Sequence, residues 1–200
     1  MARYRPVMEN SGAGSWLGFQ PAQIVEFNDR TNEFDWADLF LDVTLKTTSQ
    51  YPVVYSLKGT YDKEDSGEIK DSSLLKRIYY LLDAIGFNGG PNKNGIWEDE
   101  NGVVIPDIGT FLSQNFVAKN ALDDEARPYY IYVYKRLNPK DGKAYTEVCP
   151  KIVRNISKSK EDLESYVKFM KSKGYIKEHV ENGESQVTAS ESSTSSATPF

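Results

Sequence analysis

The chain has 200 residues, 39% of them apolar and 12% aromatic, with a formal net charge of −5. That length suits one domain with appendages, and Cys149, the single cysteine, excludes an intramolecular disulfide framework. Residues 1–5 carry no signal-peptide core and no apolar run approaches the roughly 20 residues of a membrane span, which points to a reducing, cytoplasmic setting without a membrane.

In chain order, residues 1–21 are weakly patterned and read as an N-terminal extension anchored by Trp16, Leu17 and Phe19. Residues 24–27 suggest a short strand. Leu39, Leu41, Val43 and Leu45 then alternate with Phe40, Asp42, Thr44 and Lys46, the period of a half-buried strand. Residues 53–61 predict a third strand with Gly59 at a bulge. Residues 71–73 offer helix caps, Leu74, Ile78, Leu81, Leu82 and Ile85 share one helical face, and Gly86 supplies the stop. Residues 88–107 read as a Gly-, Asn- and acid-rich loop around Trp97, and 116–118 as a short strand after a helical turn.

Residues 129–137 and 143–153 form two strand-like runs joined at 138–142 by Pro and Gly, the strongest hairpin signal in the chain. A helix over 160–173, capped near Ser159, carries Leu163, Val167 and Met170 on one face and stops at Gly174. From Glu181 the chain has no Lys or Arg and almost no apolar residue, so its burial cannot offset ordering entropy and a disordered tail is expected.

Three strands, a helix and a strand hairpin are the order of a five-stranded OB barrel, so the expectation is a mainly β fold with helices. The expected organisation is an extension at 1–21, an OB-like domain at 22–156, a C-terminal amphipathic helix at 157–180 and the tail at 181–200.

The acidic total hides a local excess. Residues 127–160 hold nine Lys or Arg against Asp141 and Glu147 alone, an excess of seven positive charges, which suits a polyanion better than the total does. On the 129–137 strand, Ile131 and Val133 face one way. Tyr130, Tyr132, Tyr134 and Arg136 face the other, about 7 Å apart at a rise of ~3.3 Å per residue. Bases stack on such rings, and Lys135, Arg136, Lys140 and Lys143 would meet phosphates. Lys46, Tyr55 and Lys58, with Phe40, are candidates from the neighbouring strands. The same tyrosine row also suits a cover beneath a helix or an interface with another protein.

The run Leu74-Leu-Lys-Arg-Ile-Tyr-Tyr-Leu-Leu-Asp-Ala-Ile-Gly86, the Tyr130-x-Tyr-x-Tyr134 strand with its Lys-Asp-Gly turn, and the final Pro199-Phe200 resemble tailed-bacteriophage OB-fold single-stranded-DNA-binding proteins. The resemblance covers about residues 22–156 plus the two-residue tip, and departs from the family in two places. Ser and Thr replace most acids before the tip, with Glu191 the nearest, and the 88–126 insertion exceeds a minimal barrel. The resemblance implies a sequence-nonspecific protein that coats single strands in phage replication or recombination. It also implies that the Pro199-Phe200 tip recruits replication proteins such as a polymerase, helicase or primase. The alternative is a phage structural or assembly accessory protein using the Tyr-rich strand as a protein interface. Homo-oligomerisation stays open.

Enzymatic signals are weak. His179 is the only histidine, so with Cys149 it cannot assemble the usual zinc ligand set, and the pair has no supporting nucleophile motif. Asp62, Glu64, Asp65 and Glu68 lack calcium-loop spacing, and Asn88-Gly-Gly-Pro does not link a strand to a helix as a phosphate loop would. The reading is a non-enzymatic protein without metal or cofactor.

Overall fold

A computed structural model describes residues 17–49, 51–117 and 127–179. Strands β1 (Gly18–Asp29), β2 (Leu39–Lys46) and β3 (Val53–Gly59) form an antiparallel meander. They are followed by helix α1 (Ser73–Ile85), a two-stranded hairpin of β4 (Gly90–Pro91) and β5 (Trp97–Glu98), and helix α2 (Ile108–Phe116). Strands β6 (Tyr129–Leu137), β7 (Ala144–Val148) and β8 (Val153–Arg154) precede helix α3 (Ser157–Ser172).

The fold is mixed α/β. Its main sheet has six strands in the order β3-β2-β1-β6-β7, with β8 pairing the start of β6, and every pairing is antiparallel. The sheet has six strands and does not close, which corrects the five-stranded OB-like barrel expected. Its outer strands β3 and β7 approach one another, and the Tyr55 hydroxyl donates to the Pro150 carbonyl at 2.8 Å, but no ladder joins them.

β1 holds the sheet together because it serves two partners. Gly18 to Ala22 pair with β6 and Gln23 to Asp29 pair with β2. The register slips between Ile24 and Glu26, leaving Val25 as an extra residue that bends the strand. The short strand expected at 24–27 is therefore the middle of a twelve-residue one. The bulge lies here rather than at Gly59, which closes β3 opposite Leu39 in unbroken register.

Strict alternation in β2 and β3 puts Leu41, Val43, Leu45, Tyr55 and Leu57 inside, where they meet Ile131 and Val133 of β6 and Leu74, Ile78, Leu81 and Leu82 of α1. Ser72 starts α1, its hydroxyl accepting from the Leu75 amide at 3.2 Å. Gly86 ends it in the left-handed region at φ +77°, where a Cβ would sit 2.7 Å from an Arg154 guanidinium nitrogen. Gly109 on α2 meets β1 closely, since a Cβ there would lie 2.7 Å from the Asp29 amide nitrogen.

Three further expectations shift. The 88–107 segment contains the β4–β5 hairpin, whose Trp97 and Pro91 are buried. α2 runs to Phe116 where a strand was expected, and Ala118 lies outside the described residues. The single strand expected over 143–153 divides into β7 and β8 around Pro150, which has no N–H for a ladder.

α3 starts at Ser157, three residues before the expected helix, with Ile156 at its cap position and no side-chain cap. It packs on the outer face of β6. Leu163 and Val167, with Ile176 beyond the helix end, join Tyr132, Tyr134, Cys149 and Val153 in a second core. Replacing Leu163, which is fully buried, by Ala should cost about 2–5 kcal/mol. Urea unfolding would show one cooperative transition at a lower midpoint, whereas a change under about 0.5 kcal/mol would mean that α3 is a detachable appendage.

Candidate nucleic-acid interface

The two faces of β6 are assigned as the sequence suggests, Ile131 and Val133 inward and Tyr130, Tyr132 and Tyr134 outward. The outward rings form a row with Phe19 of β1. Phe19 lies 5.9 Å from Tyr130 and 4.6 Å from Tyr132 between ring centroids, and Tyr132 lies 6.2 Å from Tyr134. This row is not an open platform. Tyr132 and Tyr134 are each 6% exposed, because α3 and the residues after it lie over them.

Polar contacts complete the cover. Lys160 Nζ sits 5.0 Å from the Tyr130 centroid and Lys171 Nζ 4.8 Å from that of Tyr132. The Tyr132 hydroxyl donates to Glu178 and the Tyr134 hydroxyl donates to Glu147 at 2.9 Å. Burial, reinforced by these carboxylate acceptors, raises both phenol pKa values. The stacking role expected of Tyr132 and Tyr134 is thus corrected to a structural one, and only Tyr130 keeps partial exposure. An amphipathic helix needs an apolar surface, and the tyrosine row is the one that β6 offers it.

Tyr55 is also corrected. It points into the main core, 2% exposed, and burial pushes its hydroxyl up to about 12 against the lowering effect of Arg77. Lys46 is half-buried at the end of β2, whereas Lys58 is exposed on β3. Lys135 is half-buried on β6. Arg136 is exposed and reaches Glu147 at 3.5 Å. Lys140 and Lys143 are exposed at the β6–β7 turn, which is closed by the Asn138 amide donating to the Lys143 carbonyl at 2.8 Å. Pro199 and Phe200 lie outside the described residues.

An open aromatic surface lies in the connection from β1 to β2. Phe34 stacks on Phe40 at 4.4 Å with 25° between planes, and Trp36 lies 6.1 Å from Phe34 and 6.3 Å from Phe40. The Arg30 guanidinium sits 5.2 Å from the Phe34 ring centre and 5.1 Å from that of Phe40, and Lys58 Nζ is 5.2 Å from Phe40. Phe40 is covered by this group, but Trp36 is 55% exposed.

Local hydrogen bonds hold the connection rigid. The Asp29 carboxylate accepts from the Thr31 amide at 2.9 Å and from its hydroxyl at 2.6 Å, and the Thr31 hydroxyl oxygen accepts from the Phe40 amide at 2.9 Å. Arg30 is clamped between Glu33 at 2.7 Å and Asp42 at 3.2 Å. In sequence, Phe34 and Trp36 stand amid Asp, Asn and Glu between two strand patterns. That placement of large aromatics in a polar loop was the available signal.

The cluster continues onto the outer face of β2 and β3, where Phe40 faces Lys58, Asp42 faces Ser56 and Thr44 faces Val54 across the ladder. Val54 is half exposed, as are parts of its neighbours, so this face is not covered by a described helix. Among the described residues, no group of three or more His, Cys, Asp or Glu is placed to hold a metal ion, and no helix is long and apolar enough to cross a membrane.

In comparisons with known proteins, no family model and no curated sequence matches this chain.

Two titrations follow from the buried groups. Cys149 is fully buried and its thiol is pushed up to about 11, so thiol reagents should leave the native protein unmodified at neutral pH and label it only on unfolding. Tyr55 titrates normally once unfolded, near 10, but at about 12 when folded. Its contribution to stability is whole below pH 10 and is lost as pH rises through 10 to about 12. Urea midpoints should therefore fall from about pH 9 to pH 11.5 as phenolate absorbance appears, and an unchanged midpoint would contradict the buried phenol.

Proposed function

We propose that this chain binds single-stranded DNA without sequence preference, through the outer face of β1, β2 and β3 rather than through the tyrosine row. The observation that carries this reading is Trp36, more than half exposed beside Phe34 and Phe40, with Arg30 and Lys58 on the same aromatic cluster. Exposed rings offer every base a stacking surface that Arg30, paired with Glu33 and Asp42, supports, and Lys58 attracts the phosphate chain, so affinity arises without reading base edges. The strand order supports an OB-type binding face. The meander, the return of β6 beside β1, the closeness of β3 to β7 and the placement of α1 before β6 all fit that fold. In that fold the β1–β2 connection borders the bound strand, which is where the Trp36 cluster stands.

A role in coating single strands during phage DNA replication or recombination fits this chemistry. The alternative of a Tyr-strand protein interface loses support, because the chain's own α3 already occupies that face.

The test is anisotropy of a labelled ~30-nucleotide oligo-dT, with duplex as control, at about 50 and 200 mM salt. Tight binding to the single strand that weakens with salt is expected. Trp36→Ala should weaken it about 5- to 150-fold, the range of ~1–3 kcal/mol for one stacked base. The part of any tryptophan quenching that comes from Trp36 should disappear with it, since Trp36 is 55% exposed whereas Trp97 is buried. Absent binding at low salt overturns the reading, and an unchanged Trp36→Ala variant removes the platform.

A further inference from the structure

We propose that the end of α3 and the β6–β7 turn form a second contact surface for the same strand, with Tyr175 stacking on a base and lysines on both segments holding phosphates. This inference rests on the single-strand reading above.

The two segments are distant in sequence but the structure ties them together. The His179 amide donates to the Lys135 carbonyl at 2.8 Å, fastening the chain beyond α3 to β6 just before its turn. Lys135 lies three residues ahead of Asn138, about 10 Å along a strand rising ~3.3 Å per residue. The helix end is closed by the Tyr175 amide donating to the Met170 carbonyl at 2.9 Å, and Ile176 is buried against the second core. Anchoring Ile176 leaves its neighbour Tyr175 turned to solvent, 68% exposed, the highest value among the large hydrophobic side chains of the described residues. Phe169, six residues back on α3, is 52% exposed with Lys173 Nζ at 5.9 Å from its ring.

Charge selects the occupant. Residues 168–177 contain four lysines and no acid. Three of the acids nearby are committed. Asp141 accepts from the Lys143 amide and the Tyr145 hydroxyl, Glu147 accepts from Tyr134 and pairs with Arg136, and Glu178 takes Tyr132 and Lys171. Among the described residues, no acid pairs with Lys140, Lys143, Lys173 or Lys177. Unpaired lysines around exposed rings match a polyanion whose bases are free to stack, and a duplex has no such bases. The tyrosine row contributes here by holding α3 in place rather than by touching the strand.

The test uses the full chain and labelled oligo-dT of ~30 nucleotides, with Lys173→Glu/Lys177→Glu and Tyr175→Ala, all at exposed positions. Thermal melting should match the wild type. The double variant should bind at least about tenfold more weakly, and its salt slope should be shallower by about 1.4, at ~0.7 per lost phosphate contact. Tyr175→Ala should lose at least about fivefold with its salt slope retained, while Trp36 quenching persists in both variants. Wild-type affinity and slope in both variants, with normal wild-type binding, would overturn the second surface and leave the Trp36 face standing. No wild-type binding would overturn both.

Discussion

Strand β6 carries large apolar side chains on both of its faces, and neither face can be left in water. Inside, Ile131 and Val133 complete the main core, and outside, Tyr132 and Tyr134 require a cover that α3 provides with Leu163, Val167 and Ile176. Burying side chains of this size contributes roughly 1.5–3 kcal/mol each, so the helix is held as part of the fold rather than resting on it. Everything about the candidate interface follows from this choice. With α3 in place, the row that looks most like a stacking ladder in sequence is spent on cohesion, and open aromatic rings are found instead at the β1–β2 connection and at the end of α3.

A phenol makes such double use workable. Its ring packs as an apolar body while its hydroxyl must find an acceptor, and Tyr55, Tyr132 and Tyr134 find a carbonyl or a carboxylate at the boundary of their cores. The acceptors Glu178 and Glu147 also pair with Lys171 and Arg136, so these acids beside the lysines are offset by the chain's own cations. The net charge of −5 therefore misdescribes the face a polyanion would meet. Asp29, Asp107 and Asp141 are likewise consumed in capping turns and helix ends.

Much of this architecture is legible in the residues. Ser72, the Leu74-Ile78-Leu81-Leu82 stripe and Gly86 place α1 within a residue or two, because a cap, a period and a left-handed stop agree. Leu39 to Leu45 announce β2 by alternation alone. What stays hidden depends on partners distant in sequence. β1 begins at Gly18 and includes Pro21, residues with poor strand propensity that are held by pairing to β6. Period two divides β6 into two faces correctly, but it cannot say which face water reaches, since that depends on an amphipathic helix about 30 residues later.

The same limit explains why the Trp36 cluster is faint in sequence while its geometry is well defined. Phe34, Trp36 and Phe40 have no common period, because the first two sit in a turn and the third in a strand. They meet only because Asp29 and Thr31 fold the connection back on β2, and Arg30 then spans the rings between Glu33 and Asp42. A guanidinium already paired with two carboxylates is a weak phosphate ligand, so Arg30 acts chiefly as a support that keeps the rings in register. Under the proposed single-strand reading, attraction for the phosphate chain falls to Lys58 here and to the lysines beside α3.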